Sequence, residues 1–337
     1  MADLRAGLIG LGMMGRHHAR VLRSLDGVEL VAVADPVGDP HDVSADLEVR
    51  GDVDELLAAD LDYCVIAVPT AFHHGIALQL AARGVAALIE KPLAATSAEA
   101  AEIVAAFGDA GVVGGVGHIE RYNPALQQAR ARLESGDLGE VFQVSTRRTG
   151  PFPARIADVG VVKDLGTHDI DLTAWVTQQP FANVSARTAH RSGRPHEDLV
   201  AITGQLADGT VTNHLVNWLS PLKERVTTIT GERGAFVADT ISADLTFYAN
   251  GLVPTTQWAQ IAGFRGVTEG DVIRYSFPKP EPLRTEHEAF RDAVLGLRET
   301  TVSLAEGART LAVAEAVLAA AATGETQQLV PGELSRS

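Results

Sequence analysis

Leu4-Arg5-Ala6-Gly7-Leu8-Ile9-Gly10-Leu11-Gly12-Met13-Met14-Gly15 is the stretch whose reading decides the fold. Leu4 to Ile9 has the apolar continuity of a buried parallel strand, and Met13 to Leu25 reads as a helix. The turn between them is G-x-G-x-x-G, in the strand-to-helix context that dinucleotide binding demands. Gly10 permits the tight turn, Gly12 lets the backbone approach a pyrophosphate, and Gly15 lets helix and strand pack closely. The diphosphate then rests on amides at the helix amino terminus, in the segment that includes Met13 and Met14. Asp35 ends the second strand. A carboxylate there accepts bonds from the adenosine ribose hydroxyls and repels a 2′-phosphate, which favours NAD over NADP.

The alternation continues along the chain. Glu29 to Ala34, Tyr63 to Val68, Val85 to Ile89 and Val112 to Val116 read as strands. Helices are expected at Asp54 to Ala59, Ala71 to Arg83 and Ser97 to Phe107. Short apolar strands separated by helices imply a doubly wound parallel sheet over residues 1–118. The pattern then changes. After a helix near Pro124 to Leu133, strands are expected at Glu140 to Arg147, Phe181 to Ala189, Leu199 to Leu206, Thr210 to Trp218, Arg225 to Thr230 and Ala243 to Tyr248. One helix interrupts them, around Gly166 to Val176, and two close the chain, Thr285 to Leu297 and Ser303 to Ala322. Residues 119–337 therefore read as an α+β domain with a large, mainly antiparallel sheet, whose closing helices are able to pack back on the first domain.

Composition narrows the function classes. With 46% hydrophobic and 21% charged residues the chain is globular, and 337 residues exceed what one core usually covers. A net charge of −15 disfavours nucleic acid as a partner. The single cysteine, Cys64, cannot form an internal disulfide and fits a cytoplasmic location. No stretch approaches the roughly twenty apolar residues of a membrane span.

Two further motifs carry chemistry. Glu90-Lys91-Pro92 follows the apolar run Val85 to Ile89, at the carboxyl end of a strand where this fold places its ligands. Pro69 and Thr70 end the third strand beside the same cleft and are expected at the cofactor. Later comes Lys163-Asp164-Leu165-Gly166-Thr167-His168-Asp169-Ile170-Asp171, in which helical spacing puts Asp164, His168 and Asp171 on one face. Asp164 could instead cap the helix, His168 could be a core residue, and Asp171 could pair with a nearby base. A lysine at its reference pKa of about 10.4 is a poor base, so Lys91 and His168 stand as rival proton acceptors, with Asp164 as orienter. His17 and His18, beside the phosphate turn, are read as packing or capping residues, while His73 or His74 is a candidate near the nicotinamide. His190, His196, His214 and His287 show no ligand spacing, and no metal is expected.

The glycine turn, Glu90-Lys91-Pro92 and Asp164-x-x-x-His168, in this order, resemble the Gfo/Idh/MocA oxidoreductase family along essentially the whole chain. The resemblance implies a Rossmann domain, a carboxyl-terminal α/β domain, and hydride transfer between a nicotinamide and a secondary alcohol of a sugar, cyclitol or nucleotide sugar. It implies catalytic roles for Lys91, Asp164 and His168, and a homodimer or homotetramer assembled through the large sheet. Gly117-His118-Ile119-Glu120-Arg121-Tyr122-Asn123-Pro124 matches the family's region near the nicotinamide. Many members carry two adjacent arginines there. This chain has Glu120-Arg121, so Arg121 alone is carried over, as a cofactor or substrate contact, with Tyr122 beside it. The segments 118–124, 150–153 and 158–162 resemble the branch containing UDP-N-acetylglucosamine 3-dehydrogenases. Arg147, Arg148, Arg155 and Lys163 cluster around them and could neutralise a substrate diphosphate, or each could be an ordinary surface charge or salt-bridge partner. Inositol or free-sugar dehydrogenases of the family are the alternative, and a non-catalytic NAD-sensing protein is the alternative of another class.

Overall fold

The computed structural model describes residues 3–153, 159–251, 268–300 and 302–329. They fall into two compact units, one within Met1–Ile119 and Glu281–Glu315, the other within Glu120–Pro280 and Ala316–Pro331. The helix Pro282–Val294, one of the closing helices read as able to pack back on the first domain, is part of the first unit. Its Phe290 is buried in the first unit's core beside Leu8, Tyr63, Val65 and Leu88.

The first unit holds β1 (Leu4–Ile9), β2 (Val28–Ala34), β3 (Val49–Arg50), β4 (Tyr63–Ile66), β5 (Ala86–Glu90) and β6 (Gly114–Gly117), ordered β3-β2-β1-β4-β5-β6 in one parallel sheet. β4 and β5 are buried at every position, which is why they read as continuous apolar runs rather than alternating ones. Helices α1 (Met13–Leu22), α2 (Val53–Leu57), α3 (His73–Ala82) and α4 (Ser97–Ala110) connect the strands. α4 starts at a reciprocal Thr96–Glu99 capping box and stops at Gly111, whose φ of 63° is the left-handed conformation that ends helices. Register fixes what lies at the sheet's edge. Ala34, Ile9, Ile66, Ile89 and Val116 pair in one row across the sheet. The next residue of each strand or its loop, namely Asp35, Gly10, Ala67, Glu90 and Gly117, therefore forms the carboxyl edge.

The second unit contains α5 (Pro124–Glu134), β7 (Val141–Pro151), a π-helical turn over Val162–Gly166 and α6 (Thr167–Thr177). Strands β8 (Phe181–Ala189), β9 (Leu199–Leu206), β10 (Val211–Asn217), β11 (Leu219–Gly231), β12 (Gly234–Asp239), β13 (Asp244–Gly251), β14 (Thr268–Arg274) and β15 (Gln327–Gln328) follow. With β7 they make a sheet of nine strands among the described residues, ordered β14-β13-β12-β11-β7-β10-β9-β8-β15. The β7–β10 pairing is parallel and the rest are antiparallel. Leu126 and Ala129 of α5 and Leu172, Trp175 and Val176 of α6 pack with Val144, Ile229, Phe236 and Leu245 of the sheet. β12 and β14 were not expected from sequence. In β12 the inward positions are Gly234, Phe236 and Ala238, too small a hydrophobic signal to mark a strand, while β14 reads Thr-Glu-Gly-Asp-Val-Ile-Arg. α7 (Pro282–Val294) and α8 (Leu304–Thr323) complete the described helices, and none of these is long and apolar enough to cross a membrane.

Candidate active site

At the edge of the first unit the glycine turn has the geometry its sequence demands. Gly10 has a φ of +95°, and a Cβ there would lie 2.5 Å from the Ala67 carbonyl oxygen. A Cβ on Gly15 would run into the carbonyl of Gly10, whereas one on Gly12 would meet nothing within 4 Å. α1 begins behind Gly12 with no side chain capping it. Its first amides and the positive end of its dipole thus stand behind a residue without a side chain, which fits a pyrophosphate. Asp35 accepts hydrogen bonds at 2.8 Å from the amides of Leu11 and Val37, one on each carboxylate oxygen. The acid pins the glycine turn to the end of β2, and each oxygen keeps lone-pair capacity for a ribose hydroxyl. Thr70 opens a short 3-10 turn, buried, after an exposed Pro69.

Behind Lys91 lies a buried polar chain that the sequence did not reveal. His18, fully buried on α1, places Nε2 2.9 Å from Glu90 Oε1 and Nδ1 2.9 Å from His287 Nε2 on α7. The Lys91 amide donates to the other Glu90 oxygen at 3.1 Å. Burial alone would raise the Glu90 carboxyl, but the His18 bond and charge, with Lys91, hold it below the usual carboxylate range. Neighbouring Glu286 goes the other way, raised well above that range by burial and by Glu90. Its carboxyl oxygens are buried with no hydrogen-bond partner among the described residues. Burial and His18 push His287 well below its ordinary value. The pKa values of the two nearby acids are thus driven apart, Glu90 downward and Glu286 upward. His73, also buried, lies with Nδ1 2.9 Å from the Pro92 carbonyl oxygen and Nε2 3.0 Å from that of Val68. No local signal could have found these contacts, since the partners of His18 are 72 and 269 residues away.

In the second unit the Lys163–Asp171 segment is built differently from the expected single helix. Val162 to Gly166 form a π turn, and α6 starts at Thr167. The wider turn changes the angular step between side chains, so α-helical spacing does not describe the Asp164–His168 relation. The turn is held at its start by Glu197, which accepts from the Val162 amide at 3.0 Å through its side chain and from the Val161 amide at 3.0 Å through its carbonyl. A Cβ on Gly160 would collide with the Glu197 carboxylate. Asp164 is buried, and Lys163 and His168 are half-buried. Asp171 faces the interior and takes a two-pronged bond from Arg121, Nε at 2.9 Å and Nη2 at 2.7 Å. Arg148 donates at 2.7 Å to both Asp169 and Glu120. Its guanidinium is buried and committed to those acids, which corrects its expected place among groups neutralising a diphosphate. Burial alone would lower the Arg148 pKa, and the two acids outweigh it and raise it. Arg147 is exposed and pairs with Glu224 at 3.5 Å, while Tyr122 is buried in the 3-10 turn Ile119–Tyr122. Arg155 lies outside the described residues. Among the described residues no group of three or more His, Cys, Asp or Glu is arranged to hold a metal.

Within the first unit the structure therefore gathers Gly10, Asp35, Glu90 and Lys91 along one edge. Within the second it gathers Lys163, Asp164 and His168 on one segment, braced from inside by Arg121 and Arg148. A parallel sheet ordered β3-β2-β1-β4-β5-β6, with a glycine turn where its strand order reverses and an acid at the end of the neighbouring strand, defines a nicotinamide-dinucleotide oxidoreductase. Residues 4–118 match the oxidoreductase family described as having an NAD-binding Rossmann fold, and residues 126–237 match the GFO/IDH/MocA C-terminal domain. The chain belongs to the Gfo/Idh/MocA family, and NAD is its cofactor. It is similar to the UDP-N-acetylglucosamine 3-dehydrogenase of Acidithiobacillus ferrooxidans, 29% identical over 317 residues, or 93% of this chain and 96% of that one. It is 31% identical to the rhizopine catabolism protein MocA of Rhizobium meliloti over 62% of this chain and 70% of that one. A solved structure, UDP-N-acetylglucosamine 3-dehydrogenase GnnA from A. ferrooxidans, superposes with a TM-score of 0.80 at 27% identity, covering 95% of this chain and 98% of that one.

Proposed function

We propose that the chain transfers a hydride between NAD and a secondary alcohol or ketone of a sugar, carried as a nucleotide sugar such as a UDP-N-acetylhexosamine and reacting at its 3-position. The observation that carries this reading is the likeness to a UDP-N-acetylglucosamine 3-dehydrogenase across 93% of this chain, against 62% for the MocA relative. Gly10, Gly12, Met13, Met14, Gly15, Asp35, Pro69 and Thr70 hold the cofactor in this proposal. When bound, NAD supplies the hydride acceptor.

The remaining chemistry falls to the chain's own side chains. Lys91, following the ionised Glu90, offers an ammonium that donates a hydrogen bond to the substrate oxygen as negative charge develops there. His168 takes the hydroxyl proton, as an imidazole suits near neutrality, and Asp164 orients it or the sugar. In reduction the same groups return the proton. Lys163 and Tyr122 are proposed substrate contacts and Arg121 a proposed cofactor or substrate contact, while the Arg121–Asp171 bond fixes α6. We place the enzyme in the cytoplasm as a homo-oligomer built on the face of the large sheet opposite α5 and α6.

The test is a panel. The pure protein is incubated with NAD and UDP-sugars, inositols or aldoses while reduced-cofactor absorbance is followed. Turnover confined to UDP-N-acetylhexosamines supports the reading. Turnover confined to inositols or aldoses moves the substrate to those rings. NAD binding without turnover across the panel overturns the enzyme reading in favour of a sensor.

A further inference from the structure

His73 touches two backbone segments that the proposed reaction uses for different purposes. Its Nδ1 meets the carbonyl of Pro92, the residue after Lys91, and its Nε2 meets the carbonyl of Val68, which leads into Pro69 and Thr70. A carbonyl oxygen can only accept, so each contact is a bond only when that ring nitrogen carries a hydrogen, and both are bonds at once only in the imidazolium form, the form in which the ring acts on both segments. The turn is also gripped at its other end, where His18 holds the Glu90 carboxylate at 2.9 Å. Lys91 thus sits between two residues that are each fixed by a buried histidine. An apolar side chain would fill the His73 site without the desolvation that pulls this imidazole's pKa down, a pull opposed by the Val68 and Pro92 bonds and by Glu90.

We propose that His73 is a positioning residue, a clasp whose Nδ1–Pro92 bond sets where Lys91 is held and whose Nε2–Val68 bond sets the cofactor loop. Its contribution to NAD binding then runs through Val68 rather than through direct contact. The inference rests on the reading of Lys91 as catalytic and of Pro69-Thr70 as cofactor-holding.

The two bonds can be separated by substitution. In His73→Asn the carboxamide nitrogen falls near the position of Nδ1, and in His73→Gln near that of Nε2, so each variant keeps one donor. The chain's lysines are Lys91, Lys163, Lys223 and Lys279, few enough for ¹³C-methylated lysine NMR, with the Lys91 signal assigned by its loss in Lys91→Ala. The expected result is a split. His73→Gln shifts the Lys91 titration by about half a pH unit or more while NAD affinity, read by tryptophan fluorescence, stays within about threefold of the parent. His73→Asn leaves the Lys91 titration in place and weakens NAD about tenfold, the worth of one good hydrogen bond. Identical behaviour of the Asn and Gln variants, whether both intact or both damaged, overturns the clasp. Turnover of Lys91→Ala at the parent's rate overturns the underlying reading instead, and the NMR and binding results do not depend on it.

Discussion

Lys91 and Asp35 are the residues at which the chemistry can be tested singly. Lys91 follows a carboxylate kept ionised by His18 and precedes a carbonyl bonded to His73, so its backbone is fixed while its side chain remains half-buried. Lys91→Ala is expected to lower kcat by about a hundredfold or more, the usual scale for a group acting on charge in the transition state, with NAD affinity unchanged by fluorescence titration. Parent-like turnover would remove Lys91 from the mechanism. Asp35 sets cofactor choice by charge as well as by hydrogen bonds. Asp35→Asn keeps an acceptor for one of the amides of Leu11 and Val37 but removes the repulsion of a 2′-phosphate. Its NADP-to-NAD preference, from kcat/KM with each cofactor, is expected to rise about tenfold, equivalent to about 1.4 kcal/mol. An unchanged ratio would place selectivity elsewhere.

At the scale of elements, α6 is the helix that carries the proposed proton acceptor His168, and arginines inside the unit hold it. Arg148 joins Asp169 of α6 to Glu120, and Arg121 joins Asp171. Removing one partner of a buried pair leaves an uncompensated charge, so Arg148→Ala is expected to cost about 3–5 kcal/mol in urea unfolding. Recovery of much of that loss in the Arg148→Met/Asp169→Leu double variant would attribute it to the stranded acid. The same layer contains His214, buried with Nδ1 2.8 Å from Thr146 Oγ1 and pushed down to about 4 by burial, against the opposing charge of Asp169. Between its ordinary value of 6.5 and about 4 the native state binds fewer protons than the unfolded chain. The stability this contributes is full above the ordinary value and is lost as pH falls, up to about 3 kcal/mol. His287, lowered for the same reason, adds with the same sign, while Glu286, raised, contributes the opposite dependence. Melting temperature is expected to fall between pH 7 and pH 5, and less so in His214→Gln. An equal fall in both proteins would exclude His214 as a source.

For the whole molecule, the second unit's sheet carries α5 and α6 on one face, and its other face is the surface assigned to assembly. Val211, Gln143, Thr230, Ala235, Tyr248 and Val272 pair in one row across six strands on that outer face. Val211, Tyr248 and Val272 are 49%, 48% and 61% exposed, apolar members of that row that water covers poorly and a second copy of the chain would cover well. The sedimentation coefficient of the parent is expected to be that of a dimer or tetramer. The Tyr248→Lys/Val272→Lys variant is expected to sediment as a monomer that still binds NAD. A monomeric parent would overturn the assignment of this face.

The sequence by itself determined the first unit's strand–helix alternation, the glycine turn, Asp35 and the Lys91 motif. These depend on local rules: buried parallel strands must be apolar throughout, and a dinucleotide turn must be glycine at fixed spacing. It also determined that the later domain is mostly strands, although β12 escaped because Gly234 and Ala238 carry almost no hydrophobic signal. What only the tertiary structure decided is which charged groups are spent on one another. Arg121 pairs with Asp171 and Arg148 with Asp169 inside the unit, and His18 and His73 bond Glu90 and the Pro92 carbonyl on either side of Lys91. Likewise Pro282–Val294 belongs to the first unit because Phe290 finds its apolar partners there. The physical reason is common to all three. A buried charge or ring must find its partner in space, and no propensity or period in the sequence encodes a partner dozens or hundreds of residues away.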